Sequence, residues 1–209
     1  MGLLLLYLFA ALGFSFLCSV LEAVLLSTPM TFVSMLESEG RTGASLLKKY
    51  KQDIDKPISA ILTLNTIAHT VGAAGVGAQS QEIWGDEFFA LTSAVLTFLI
   101  LVLSEIIPKT IGASYWRQLA IPAARIIHTL VIITYPFVLL SEFITHFFSS
   151  NHQPMTVSRE EVSAMVNVGA EEGVLATKEN RMIQNLPTLD DIKARDIMTP
   201  SSVVEMAEE

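Results

Sequence analysis

Two carboxylates, Glu22 and Glu105, stand inside stretches that are otherwise apolar. An ionised side chain at bilayer depth costs about 2.5–3.5 kcal/mol on insertion scales, so such groups turn toward a bundle interior or a watered cavity. Ser19 precedes Glu22 by three residues, which puts a hydroxyl and a carboxylate on adjoining parts of one helix surface. A second apolar stretch carries Asn65, Thr66, His69 and Thr70 within two turns, then Gly72, Gly75 and Gly77. The Asn65 amide offers a neutral oxygen to a cation. For His69 alone, a satisfied core histidine competes with a metal ligand. In Ser104-Glu105-Ile106-Ile107-Pro108-Lys109-Thr110-Ile111-Gly112, Pro108 removes a backbone donor and clashes with the Ser104 carbonyl. Carbonyls freed by a broken helix are tolerated at membrane depth only where they line a cavity, and in transporters they bind cations. Lys109, four residues after Glu105, is placed to neutralise that carboxylate when no ion is present.

Hydroxyl, amide, carboxylate and carbonyl oxygens form a hard ligand set, suited to Mg2+ or Na+ rather than to zinc or copper. Mg2+ normally keeps several waters, so a site of protein oxygens alone would need six converging ligands. A bland reading stands beside each feature. Ala11, Ser15, Ser19, Ala23 and Ser27 recur every four residues, a small-residue stripe that permits close helix packing. On that reading Ser15 and Ser27 pack or bond back to their own helix, and Ser15 has little bearing on cation binding. Pro108 and Lys109 are then a kink and a snorkelling side chain at the boundary.

The elements that must position these groups follow from the bilayer. Of the 209 residues 51% are hydrophobic, and the mean hydropathy is +0.51, which points to a membrane class. A hydrocarbon core about 30 Å thick needs roughly 20 apolar helical residues. Residues 2–28, 57–79 and 88–107 qualify, the first ending at Thr28-Pro29 and the third at Pro108. The first lacks a basic leader and is too long for a signal peptide, so it reads as a retained span. Residues 121–148 are interrupted by Pro122, Arg125, His128, Pro136, Glu142 and His146. They read as two helices bent at Pro136, an amphipathic juxtamembrane belt with Arg125, His128 and His146 near headgroups. Arg41, Lys48, Lys49, Lys51 and Lys56 lie between the first two spans, and Lys109, Arg117 and Arg125 follow the third. Residues 79–87 carry no base, which predicts an outside N-terminus and a cytosolic tail.

That tail, 151–209, holds eleven acids against five bases and accounts for most of the net charge of -8. A capping sequence at Thr156 predicts a helix to about Gly169, and Thr177 opens a second toward Pro187. The expected domains are 1–150 for ion transport, 151–192 for an acidic helical bundle, and 193–209 for the entrance of a further module cut short at the chain end. The lone Cys18 allows neither an internal disulfide nor a thiolate zinc site. No basic cluster suggests nucleic acid. No phosphate loop, HExxH or nucleophile elbow is present, so an enzyme is not expected.

Ser19-Val-Leu-Glu22 with Ser27, Leu64-Asn65-Thr66 and above all Glu105-Ile-Ile-Pro-Lys109 resemble the transmembrane domain of the CorC and cyclin M (CNNM) magnesium transporters. Glu160-Glu161, Glu171-Glu-Gly173 and Arg195-Asp-Ile-Met-Thr-Pro200 resemble that family's acidic helical bundle and the start of its paired CBS module. The resemblance implies an all-α homodimer in the plasma membrane. Each subunit would have three transmembrane helices with a Pro-broken third, a juxtamembrane belt and a small cytosolic bundle. It implies Mg2+ export driven by Na+ entry, with Ser19, Asn65, Glu105 and Gly112 at the ion. Glu22 matches by pattern, with Thr66, His69 and Lys109 as further candidates. ATP would bind only through the missing CBS pair. Two departures stand out: His69 where many relatives have a second asparagine, and Leu21 where a serine precedes the first-helix acid. The rival functions are a non-transporting Mg2+ sensor or scaffold and a Na+ or other cation pathway.

Overall fold

Without water, backbone groups must bond within their own segment, and the apolar stretches accordingly form long helices. The computed structural model describes residues 1–148, 159–171, 173 and 176–185. Among the described residues three helices are long and apolar enough to cross a membrane, or four if the bent pair 116–133 and 135–141 counts as one span, and no strand occurs. The chain is an all-α, multi-pass membrane protein. The first span, α1 (Gly2–Ser27), covers about 39 Å at 1.5 Å per residue. It stops where Thr28, preceding a proline, turns extended (φ -78, ψ 114). The Thr28 hydroxyl donates to the Val24 carbonyl at 2.7 Å.

Between the first two spans lie two short helices, α2 (Met30–Ser38) and α3 (Ala44–Gln52), where only a basic loop was expected. Their turn uses Gly40 and Gly43, both at positive φ, a conformation glycine adopts without penalty. Val33, Leu36, Ala44, Leu47 and Tyr50 from this hairpin are buried with the end of α1 and with Ala120, Ala123, Ala124 and Ile127. Nine-residue helices carry too few turns for their periodicity to stand out, and tertiary burial stabilises them. Lys51 donates to the Leu25 carbonyl at 3.2 Å, satisfying one of the open acceptors at the α1 C-terminus. Burial pushes the Lys51 ammonium below its ordinary value.

The second span, α4 (Asp55–Trp84), takes Pro57 in its first turn and ends at Gly85. The third runs from Asp86 to Ser114, through α5 (Phe89–Leu99), a π-helical segment (Ile100–Ile106) and α6 (Ile107–Ser114). The expected discontinuity is present as a switch of ladder, with the Ile107 N–H bonded to the Val102 carbonyl. The span therefore continues through Pro108 instead of stopping there. A wider turn draws carbonyls away from the proline ring, which an α turn would crowd.

The juxtamembrane element starts earlier than expected, as α7 (Trp116–Ile133) followed by α8 (Tyr135–Phe148). The two are bent by 85°, with Pro136 in the first turn of α8. His128 and Arg125 do not simply point to headgroups. Tyr50 Oη lies 2.7 Å from His128 Nδ1, and Arg125 reaches the Thr42 carbonyl at 3.4 Å, so both tie α7 to the α2–α3 hairpin. The His146 side chain lies outside the described residues.

Residues 151–209 form a second unit, in which α9 (Arg159–Glu171) and α10 (Thr177–Asn185) are described. The Ala176 N–H donates to Glu179 at 2.8 Å, the reach-back half of a helix cap. Thr156 and the stretch 186–209, including Arg195–Pro200, lie outside the described residues.

Candidate ion site within the membrane helices

Small side chains set how closely α1 and α4 approach. A Cβ on Gly72 would overlap that of Ala11, and one on Gly75 would lie 2.5 Å from the Tyr7 ring. One step further along α1, Ser15 Oγ and His69 Nε2 are 2.6 Å apart. The contacts 7 with 75, 11 with 72 and 15 with 69 form an antiparallel series, advancing four residues on α1 as α4 recedes by three. Continued by one step, it brings Ser19 level with Asn65 and Thr66.

Ser19 Oγ and Asn65 Oδ1 are both buried without a hydrogen-bond partner. A buried polar group left so costs about 1–3 kcal/mol. Thr66, by contrast, is exposed on the surface of α4.

The third span runs parallel to α1. Ser104 Oγ donates to the Leu12 carbonyl at 3.1 Å, and a Cβ on Gly112 would meet the Val20 carbonyl oxygen and Ala23 Cβ, each at 2.8 Å. Gly112 thus packs directly beside the Ser19–Glu22 turn. Measured along the axis only, the same register puts Glu105 at about the height of Gly13, and Ser19 between the heights of Glu105 and Gly112. Candidates from Glu105 to Gly112 extend over about 10 Å of helix axis, seven residues at 1.5 Å each. Direct Mg2+–oxygen distances are about 2.0–2.1 Å, so this spread suits a cation that keeps waters.

Glu105 is half-buried and, among the described residues, has neither an ion pair nor a hydrogen bond. Lys109 is not its counter-ion. Its Nζ lies 3.4 Å from Glu22 Oε2 on α1, because the parallel packing turns Lys109 toward the end of α1. Ser15 also departs from its bland reading, since it bonds His69 across helices instead of its own backbone. The aligned positions were visible in the sequence as a four-residue repeat, whereas the partner chosen by Ser15 was not. No cluster of three or more His, Cys, Asp or Glu occurs among the described residues, and any ion held here would be met by hydroxyl and amide oxygens, with Glu105 as the carboxylate not already paired among those residues.

Comparison with known proteins adds ancestry. A family model described as the cyclin M transmembrane N-terminal domain matches residues 6–179. A UPF0053 protein of Synechocystis is 34% identical over 188 residues, 90% of this chain and 54% of that protein. The UPF0053 inner membrane protein YfjD of Escherichia coli is 26% identical over 176 residues, 81% of this chain and 41% of its own length. A chloroplastic DUF21 domain-containing protein of Arabidopsis thaliana is 24% identical over 199 residues, 90% of this chain and 30% of its own. The chain spans about half the length of the curated relatives it matches.

Proposed function

The chain belongs to the cyclin M transmembrane-domain family, and from that premise we propose that it carries Mg2+ through the membrane, as a transporter and not an enzyme. One observation supports this above others: among the described residues Ser19 Oγ and Asn65 Oδ1 are buried and unpartnered, and on the adjoining span the Glu105 carboxylate has no cationic partner. A hydrated divalent cation supplies what all three lack. It would accept the two neutral oxygens as ligands or through water, and it would balance the carboxylate. The Gly112 contact leaves room for no side chain there, so the third span rides close to Ser19.

On this reading Mg2+ leaves the cell against Na+ entry through a plasma-membrane homodimer with an outside N-terminus. The π segment that carries Glu105 is the place where a small change of ladder would alter access, since such segments recur at functional sites. Mg2+ efflux from loaded proteoliposomes, with and without an inward Na+ gradient, tests the proposal. Flux that requires the protein and is lost in Asn65→Ala supports it. Mg2+ binding without any flux would instead identify a sensor.

A further inference from the structure

Between the level of Glu105 and that of Ser19 with Asn65 lies a side-chain pair that bonds across the two helices, Ser15 and His69. Ser15 is completely buried. It stands one turn before Ser19 on α1, and His69 stands one turn after Asn65 on α4, so each partner shares a helix face with one unpartnered oxygen. Breaking the bond would free the Ser15 hydroxyl to turn back to its own helix and leave His69 Nε2 without its partner across the interface. Beyond it, Gly72 and Gly75 allow α1 and α4 to touch, but apolar contact of this kind does not fix sliding or rotation. A short directional bond does.

We propose that His69 and Ser15 act together as positioning residues for the cation site. Their bond holds α1 and α4 in the register that presents Ser19 Oγ and Asn65 Oδ1 to one ion. His69 is on this view a brace and not a ligand, because the ring nitrogen nearest α1 is occupied by Ser15. The inference rests on the cation site proposed above.

The test is a double-mutant cycle on the full chain in detergent, with the Mg2+ Kd read by calorimetry and the melting temperature read without Mg2+. Ser15→Ala and His69→Ala are each expected to weaken Mg2+ binding by about tenfold, and the double variant no more than the weaker single, as for two halves of one interaction. His69→Gln, whose amide reaches the same place as Nε2, is expected to restore binding. Should His69→Ala not fold, Ser15→Ala against Ser15→Thr decides, since only the threonine keeps the hydroxyl. Additive losses, or a lowered melting temperature with an unchanged Kd, overturn the inference while Asn65→Ala still weakens binding. If Asn65→Ala and Glu105→Ala also leave the Kd unchanged, the cation site itself is what fails.

Discussion

Lys109 pairs with Glu22 across two helices, Nζ to Oε2 at 3.4 Å, and leaves Glu105, one turn before it on its own span, without a counter-ion among the described residues. The pairing separates the two membrane carboxylates by role. Glu22 is paired within the protein, and Glu105 is the carboxylate that the proposed function assigns to the cation.

Removing Glu22 should therefore set Lys109 free to approach Glu105. Glu22→Gln is expected to weaken Mg2+ binding by roughly fivefold through competition from the tethered ammonium, a loss within the range of coupled charges. Glu22→Gln combined with Lys109→Gln should regain most of it. Calorimetric Kd values for the three proteins check this, and equal weakening in the single and double variants would count against the assignment.

Asn65→Ala and Glu105→Ala should each reduce Mg2+ affinity by about tenfold or more, as expected for hydrogen-bonding or charged groups that act on a cation in a low-dielectric region. Ser19→Ala should cost less, and Thr66→Ala close to nothing, because Thr66 is exposed on the surface of α4. Mg2+-dependent shifts in melting temperature rank the four variants.

Gly112→Ala places a methyl group 2.8 Å from both the Val20 carbonyl oxygen and Ala23 Cβ. Overpacking of this kind costs about 1–3 kcal/mol and pushes the helices apart. The variant should melt lower and bind Mg2+ more weakly, whereas Gly13→Ala, with open space at its Cβ, should do neither.

Tyr50 is buried at the junction of α3 with α7, and burial pushes its phenol above the ordinary value near 10. The folded state thus holds the Tyr50 proton more tightly than the unfolded chain does. That contribution to stability is complete below pH 10 and is lost as pH rises through the higher folded value. Melting temperatures between pH 9 and 11 should fall more steeply for the natural chain than for Tyr50→Phe. Identical slopes would show that the phenol does not titrate out of step.

The spans were legible because the bilayer imposes a crude requirement. About twenty apolar residues must be continuous, and Pro29, Pro57 and Pro108 mark positions where a helix ladder starts, stops or must adapt. Polar side chains inside such stretches are costly enough to be noticed one at a time, which is how Ser19, Asn65 and Glu105 could be singled out. The family resemblance added Gly112, whose tight seat against Val20 no pattern of residue types could display.

Pairing was decided by the tertiary structure. Whether Lys109 serves Glu105 or Glu22, and whether Ser15 bonds its own helix or His69, depends on the register between helices far apart in sequence. The close approach that makes such pairings reachable comes from Gly72 against Ala11 and Gly112 against Val20, contacts of shape that one strand of letters does not encode locally. The α2–α3 hairpin escaped notice for the same reason: its nine-residue helices are marginal alone and become stable only when Val33, Leu36 and Leu47 are buried against α1 and α7. Composition and spacing determined that polar oxygens lie within the membrane. Only packing determined which of them stay unpartnered among the described residues.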